Sequence, residues 1–279
     1  MPKADLHIHT TASDGRSTPA EILQYAQNHG LETIAITDHD TVKGYLKARE
    51  LVGDRDIELL SGAEFTADFN GRECHLLAYC FDADHSAIRR LVVHHYRSRL
   101  ERGKWIVDQL SKQGLDVDIN EVKAEANGAN IGRPHIASVL VDKGYVASFK
   151  EAFIRYLSDE SLGEIHNDYY TVKGIVEAVK KAGGAVVIAH PGKMYSQQEL
   201  EELVDLGIDG IEFIHPSHNY EMQRRIEEFA EEHNLLKTGG SDFHGSGDNY
   251  QKFFGVVTLS TKYVHRLKRM TKQRREITV

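Results

Sequence analysis

The sequence predicts an α/β barrel carrying a helical insertion. Three observations predict it. Apolar runs of strand length alternate with segments of helical period, polar residues gather at the ends of those runs, and one long central stretch is helical throughout. KADLHIH at 3–9 alternates, with Ala4, Leu6 and Ile8 on one face and Asp5, His7 and His9 on the other. Residues 19–29 read as a helix. Pro19 suits a first turn behind Ser17 or Thr18, Ile22, Leu23 and Ala26 form the apolar stripe, and Gly30 ends it. ETIAITDHD is a second strand that finishes in polar residues, and a helix follows from Thr41 to Glu50. IELLSGAEFTA is a third strand and CHLLAYCF a fourth.

From Asp84 to about Gly114, Ile88, Leu91, Val92, Leu100, Ile106, Val107 and Leu110 keep a helical period. Shorter helices are expected near 118–126, 133–143 and 148–157, and no strand between Ala83 and about Ile165. The alternation then resumes: helix 172–182, strand AVVIAH, helix 197–206, strand GIEFIH, helix 219–234, strand LLKTGG and strand FFGVVTL. Functional groups at the strand ends place the expected site on the C-terminal face.

With 279 residues, 41% apolar and 27% charged, the chain has an ordinary globular composition. A net charge of −8 argues against a nucleic-acid-coating surface. The seven Lys and Arg between Lys262 and Arg275 read as a solvated terminal helix, with a nucleic-acid contact as the alternative. Two cysteines supply neither a disulfide framework nor a cysteine-rich zinc module. No leader segment and no membrane-length apolar run is visible, so a cytoplasmic location, with no membrane or obligate protein partner, is the expectation.

The unusual count is 16 histidines, and they are not scattered. His7 and His9 are two apart, so one strand presents both imidazoles on one face. The other strands end in Asp38 and His39, Glu64, His75, His190, His215, and the pair Asp242 and His244, while Asp14 lies in the first loop. Imidazoles and carboxylates crowded at one mouth would desolvate and repel one another without a cation. His7, His9, Asp14, His39, Glu64, His75, His190, Asp242 and His244 make nine candidate ligands, enough for three ions if one carboxylate bridges. Adjacent cations activate water and neutralise a phosphoryl group, which favours phosphate ester hydrolysis over redox or group transfer.

DLHIHTTASDG, ITDHD, GAEF, HLLAY, AHPG and GSDFHG together resemble the PHP family, the polymerase and histidinol phosphatase superfamily. The likeness spans residues 4–83 and about 171–260. It implies a distorted (β/α)7 barrel over 1–83 and 166–279, with a helical insertion at 84–165 forming a wall of the substrate pocket. It also implies a trinuclear centre. One ion would take His7, His9, Glu64 and Asp242, a second Glu64, His75 and His190, and a third Asp14, His39 and His244. Glu64 would bridge, and Glu64, His7, His9 and Asp242 would hold the attacking metal-bridging hydroxide. Manganese is the first choice, with iron or zinc as alternatives. Many members carry His where this chain has Asp14, and the substitution resembles the branch that acts on nucleotides.

IGRPHIA at 131–137 resembles that same branch, which hydrolyses nucleoside 3′,5′-bisphosphates and short oligonucleotides. Arg133 and His135 would then contact phosphate, for which a guanidinium offers a planar fork of donors. His218, in HPSH, and Lys193, in AHPGKMY, are further candidate substrate contacts, each weighed against a structural role. Asp38 or Asp40 is a candidate orienter of the His39 ring, and Asp5 of His7. Tyr169 or Tyr170 is placed to stack on a base. Cys74 and Cys80 read as core residues. The implied activity is removal of the 3′-phosphate from a nucleoside 3′,5′-bisphosphate, with 5′ trimming of short RNA or DNA. The alternative is a phosphomonoesterase for another small metabolite such as histidinol phosphate.

Overall fold

Strand β1 (Lys3–Ile8) is buried from Ala4 onward, as its alternation of apolar and functional residues requires. Helix α1 (Pro19–Asn28) starts at a capping box. Glu21 N–H donates to Thr18 Oγ1 at 3.3 Å and Thr18 N–H to Glu21 Oε2 at 2.7 Å, a motif worth about 1 kcal/mol. Then come β2 (Thr33–Ile36), α2 (Lys43–Leu51), β3 (Glu58–Leu60), β4 (Gly62–Phe69) and β5 (Arg72–Tyr79). The central segment is helical as expected: α3 (Ser86–Lys112), α4 (Ile119–Ala126), α5 (Arg133–Asp142), α6 (Phe149–Ala152) running into a π-helical turn at Phe153–Leu157, and α7 (Asp159–Leu162). After it follow α8 (Val172–Lys181), β6 (Ala185–Ile188), α9 (Gln197–Asp205), β7 (Gly210–Ile214), α10 (Tyr220–Glu232), β8 (Leu236–Gly239), β9 (Leu259–Ser260) and α11 (Thr261–Thr278). This computed structural model describes residues 3–162, 168–245 and 251–278; the end of the expected insertion, 163–165, lies outside them.

The strands do not close into the expected barrel. They form two open, mixed sheets, ordered β3-β2-β1-β9 and β4-β5-β6-β7-β8. The reason lies inside IELLSGAEFTA, which reads as one strand and is two. β3 pairs parallel with β2, and the chain then changes sheets at Ser61 so that β4 pairs antiparallel with β5. The change brings β4 against the end of β2 so closely that a Cβ on Gly62 would stand 2.6 Å from the Ile36 carbonyl oxygen. FFGVVTL likewise yields only the two-residue β9, antiparallel to β1.

At each seam the sheets touch through a single bridge rather than a ladder. His39 bridges Glu64, where Asp40 N–H donates to the Glu64 carbonyl at 2.8 Å. Ile8 bridges Phe243, where His9 N–H donates to the Phe243 carbonyl at 2.8 Å. Both seams therefore pass through candidate ligands or their immediate neighbours.

The main core gathers Leu6, Phe65, Leu76, Leu77, Tyr79, Val187, Ile188 and Ile211 with the inner faces of α8, α9 and α10. The Tyr79 hydroxyl, buried within it, donates to the Leu6 carbonyl at 2.8 Å and so ties β5 to β1. Ile8, Ile22, Leu23, Ile34 and Ile36 form a second cluster under α1 and α2. The helical segment has its own cluster around Ile106, Leu110, Ile136 and Leu140. The basic tail is less solvated than its composition suggests. Val264 and Leu267 of α11 are buried, and Arg274 forks onto Asp209 at 2.6 and 3.0 Å. Among the described residues, no helix is long and apolar enough to cross a membrane.

Candidate metal centre

The strand ends of both sheets converge on Glu64, which is 1% exposed in the middle of β4. Its Oε2 stands 3.3 Å from His7 Nε2, 3.2 Å from His9 Nε2 and 3.2 Å from His39 Nδ1. Its Oε1 stands 3.1 Å from His75 Nδ1 and 3.0 Å from His190 Nε2. One carboxylate thus faces five imidazoles, with a different set on each oxygen. Asp242 Oδ1 lies 3.2 Å from both His7 Nε2 and His9 Nε2, opposite Glu64. A looser group surrounds Asp14, with His9, His39 and His244 at 3.6–3.8 Å. Backbone strain accompanies the arrangement. His190 and Asp242 take left-handed φ values of 26° and 51°, which non-glycine residues adopt rarely and mostly at functional sites. Gly240 lets this end of the molecule close, since a Cβ there would stand 2.6 Å from Asp5 Oδ1.

The donor set fits cations. Metal–ligand bonds of about 2.0–2.2 Å put adjacent ligand atoms roughly 3.0–3.5 Å apart, the spacing seen around Glu64 and Asp242. His9 Nδ1 and Nε2, Asp14 Oδ1, His39 Nδ1 and His75 Nδ1 are buried and make no hydrogen bond despite these short approaches. Atoms that are close yet not aligned as donor and acceptor are arranged to point at a common third partner. Among the described residues, four overlapping groups bring their ligand atoms within 4.8 Å of one another: His9, Asp14, His39 and His244; His7, His215 and Asp242; His7, His9 and Glu64; and His39, Glu64 and His75. Several of these groups can each chelate a metal ion.

The electrostatics agree. Burial opposes ionisation of Glu64, but His39, His7 and His75 outweigh it and hold the carboxyl well below its usual range. Burial likewise opposes protonation of His9 and His75, yet neighbouring carboxylates, Asp242 and Glu64 for the first and Glu64 and Glu73 for the second, raise each to about 10. Burial pushes His39 down to about 3. Protons on His9 and His75 are counter-charges that a cation would displace.

A PHP domain model matches residues 5–157, and the relatives extend the likeness along the chain. The sequence is 32% identical over 245 residues to a phosphoribosyl 1,2-cyclic phosphate 1,2-diphosphodiesterase of Eggerthella lenta, covering 86% of this chain and 94% of the relative. The chain belongs to the PHP domain family. It is also 32% identical over 247 residues to a 5′-3′ exoribonuclease of Haemophilus influenzae, covering 87% and 90% of the two chains. Identity is 30% over 254 residues to a 3′,5′-nucleoside bisphosphate phosphatase of Chromobacterium violaceum, covering 89% of each. A crystal structure from Bifidobacterium adolescentis, of a protein expected to be a metal-dependent phosphoesterase, superposes with a TM-score of 0.87 at 33% identity over 96% of each chain. This PHP protein is a metal-dependent phosphoesterase, a hydrolase.

Around the PHP centre, the orienting groups differ from those the sequence suggested. Glu212, in β7, is fully buried; it approaches His7 Nδ1 at 3.0 Å and accepts the His190 backbone N–H at 2.8 Å. It fixes two candidate ligands at once, as outer partners of metal-bound imidazoles do. Sequence reading passed over it. Its one available signal is an acidic residue inside the apolar run GIEFI. Asp5 accepts the backbone N–H groups of His7 and Ser241, not an imidazole proton. Asp38 holds Thr10 and Ser13, and Asp40 holds Thr66 and Arg99, so neither carboxylate orients the His39 ring. His215, left outside the nine candidate ligands, joins His7 and Asp242, with its Nε2 3.3 Å from Asp242 Oδ2.

The four candidate substrate contacts are placed unequally. Arg133 opens α5 half-buried, and its Nη1 donates to the Leu157 carbonyl at 3.3 Å. His135 Nδ1 accepts the Gly132 N–H at 3.0 Å, and the ring lies within electrostatic reach of Asp14. His218 spends both ring nitrogens on backbone, Nδ1 on the Phe213 carbonyl at 3.0 Å and Nε2 on the Gly192 N–H at 3.1 Å, so it braces the loop carrying His190. Lys193 is exposed on that loop. Tyr169 is buried, with its hydroxyl 2.6 Å from Arg102 Nη1, and Tyr170 packs against the main core.

Proposed function

We propose that the protein removes the 3′-phosphate of nucleoside 3′,5′-bisphosphates and trims short oligonucleotides from the 5′ end. The observation that carries this is the position of Arg133 and His135 at the start of α5, on the helical segment rather than on the ligand-bearing strands, with His135 within electrostatic reach of Asp14. In this reading the helical segment from 84 onward is a pocket wall. Arg133 and His135 hold the phosphate that is not hydrolysed, and Lys193 lies at the rim. Three divalent ions, manganese by preference, would be held by His7, His9, Glu64 and Asp242; by Glu64, His75 and His190; and by Asp14, His39 and His244. Such ions, when bound, activate a water and neutralise the phosphoryl charge. The chain's part is to fix the ligands through Glu212 and to orient the substrate. No thiol nucleophile competes, because burial pushes Cys74 up to about 12 and Cys80 up to about 11.

The likeness to the Eggerthella lenta diphosphodiesterase favours a second reading, a cyclic phosphodiester on a phosphorylated ribose. Both substrates join a ribose to a second phosphate, so the same arginine would serve either. A manganese-loaded screen of nucleoside bisphosphates, short oligonucleotides, phosphoribosyl cyclic phosphate and amino-alcohol phosphates separates them. The proposal expects inorganic phosphate and a nucleoside 5′-phosphate from the bisphosphate at the highest kcat/KM. Turnover of histidinol phosphate alone would overturn it.

A further inference from the structure

Helix α3 carries polar residues on its buried face where a packed helix would ordinarily be apolar. His95, Arg99 and Arg102 recur at helical spacing and are all buried. Gly103, on the same face, allows the approach: a Cβ there would stand 3.0 Å from Ile131 Cγ2. Arg99 ties the loop after β2 to β4 through Asp40 and Thr66. Arg102 reaches further. Its Nη1 lies 3.0 Å from Glu73 Oε2 and donates to the Tyr169 hydroxyl at 2.6 Å. Glu73 and His75 are two apart on β5 and so share a face. Glu73 Oε1 lies 3.3 Å from His75 Nε2, which leaves His75 Nδ1 facing Glu64 Oε1 at 3.1 Å. The line of contacts runs Tyr169, Arg102, Glu73, His75, Glu64, and through Arg102 it joins the helical segment to the candidate metal centre.

We propose that Glu73 is a positioning residue for the cation held by Glu64, His75 and His190, and that Arg102 makes the His75 ring orientation depend on how α3 is seated. The physical argument concerns one proton and one rotation. An imidazole that ligates through Nδ1 carries its proton on Nε2, and a carboxylate accepting that proton fixes both the tautomer and the ring plane. A carboxylate on a flexible side chain fixes nothing unless it is itself held. Arg102 holds it, and Tyr169 holds Arg102. The helical segment therefore reaches the metal centre without supplying a ligand to it.

The inference rests on the proposed binding of cations at this centre, and the test separates the two. Manganese binding to the full-length protein is measured by competition with a chelator, counting equivalents, for the unsubstituted protein, Glu73→Ala, Glu73→Gln and Arg102→Leu. Melting temperature is followed in parallel. Loss of an outer partner ordinarily costs about 10–100-fold in metal affinity. We expect Glu73→Ala to weaken one equivalent by about that factor while the tighter equivalents keep theirs. Glu73→Gln, which still offers an oxygen to His75 Nε2–H, should recover most of the loss even if the alanine variant folds poorly. Arg102→Leu should weaken the same equivalent by less. An unsubstituted protein that binds no manganese would overturn the metal reading itself. Normal binding that Glu73→Ala and Glu73→Gln leave unchanged at every equivalent would overturn the positioning role alone. An Arg102→Leu variant with lower kcat/KM but unchanged manganese binding would end the line of contacts at Glu73.

Discussion

Glu64→Gln should abolish turnover, lowering kcat/KM by about 10³-fold or more, and should release metal while the fold is kept. Glu64 faces five imidazoles, three through Oε2 and two through Oε1. An amide replaces one oxygen by an NH₂ group, which donates and cannot ligate. Both sets of histidines lose the negative charge, and whichever way the amide turns one set also loses its oxygen. A thousandfold corresponds to about 4 kcal/mol at about 1.36 kcal/mol per tenfold, within what bound cations contribute to phosphoryl chemistry. The backbone of β4 keeps its ladder to β5, so the sheet does not depend on the side-chain charge. Metal analysis, steady-state rates and melting temperature check the three parts separately. Full metal content with normal activity would remove Glu64 from its bridging place.

Arg133→Ala should lower kcat/KM for a nucleoside 3′,5′-bisphosphate by about ten- to several-hundredfold and should barely affect a small aryl phosphate. Two charge-assisted hydrogen bonds to a shielded phosphate are each worth about 1.5–3 kcal/mol, and about 1.4 kcal/mol is a factor of ten. Arg133 lines one cleft with Arg99 and Arg102. Its own guanidinium contributes to holding the Glu73 carboxyl below the usual range, after burial, which opposes ionisation, and after His75 and Arg102. The measurement is the ratio of kcat/KM for the two substrates, in the unsubstituted protein and the variant. An equal fall on both would mean that Arg133 supports the reacting phosphate or the helical wall. No change on either would remove the GRPH segment from substrate binding.

The helices were legible in the sequence because their signals are local. Thr18 with Glu21, Asp118 with Glu121, and Ser196 with Glu199 mark starts within four residues of chain. The candidate ligands were legible because histidine and carboxylate at strand ends are uncommon without a reason. Sheet closure was not legible. IELLSGAEFTA reads as one strand across Ser61, and only its distant partners, β2 on one side and β5 on the other, show that the chain changes sheets there. Glu212 and Glu73 escaped notice for a related reason. An acidic residue in a strand reads as solvent-facing until the fold shows His7 against one and His75 with Arg102 against the other. His218 in HPSH reads as a candidate substrate contact or a structural residue alike, and only the folded loop shows both nitrogens engaged by backbone.

The central claim is that Glu64 is shared between divalent cations. Anomalous diffraction from manganese-loaded crystals, recorded on both sides of the manganese edge, tests it most directly. The account predicts three peaks at one mouth: one among His7, His9, Glu64 and Asp242, one among Glu64, His75 and His190, and one among Asp14, His39 and His244. Two of them should contact opposite oxygens of Glu64. A fully loaded crystal with a single peak, or with none touching Glu64, would contradict it.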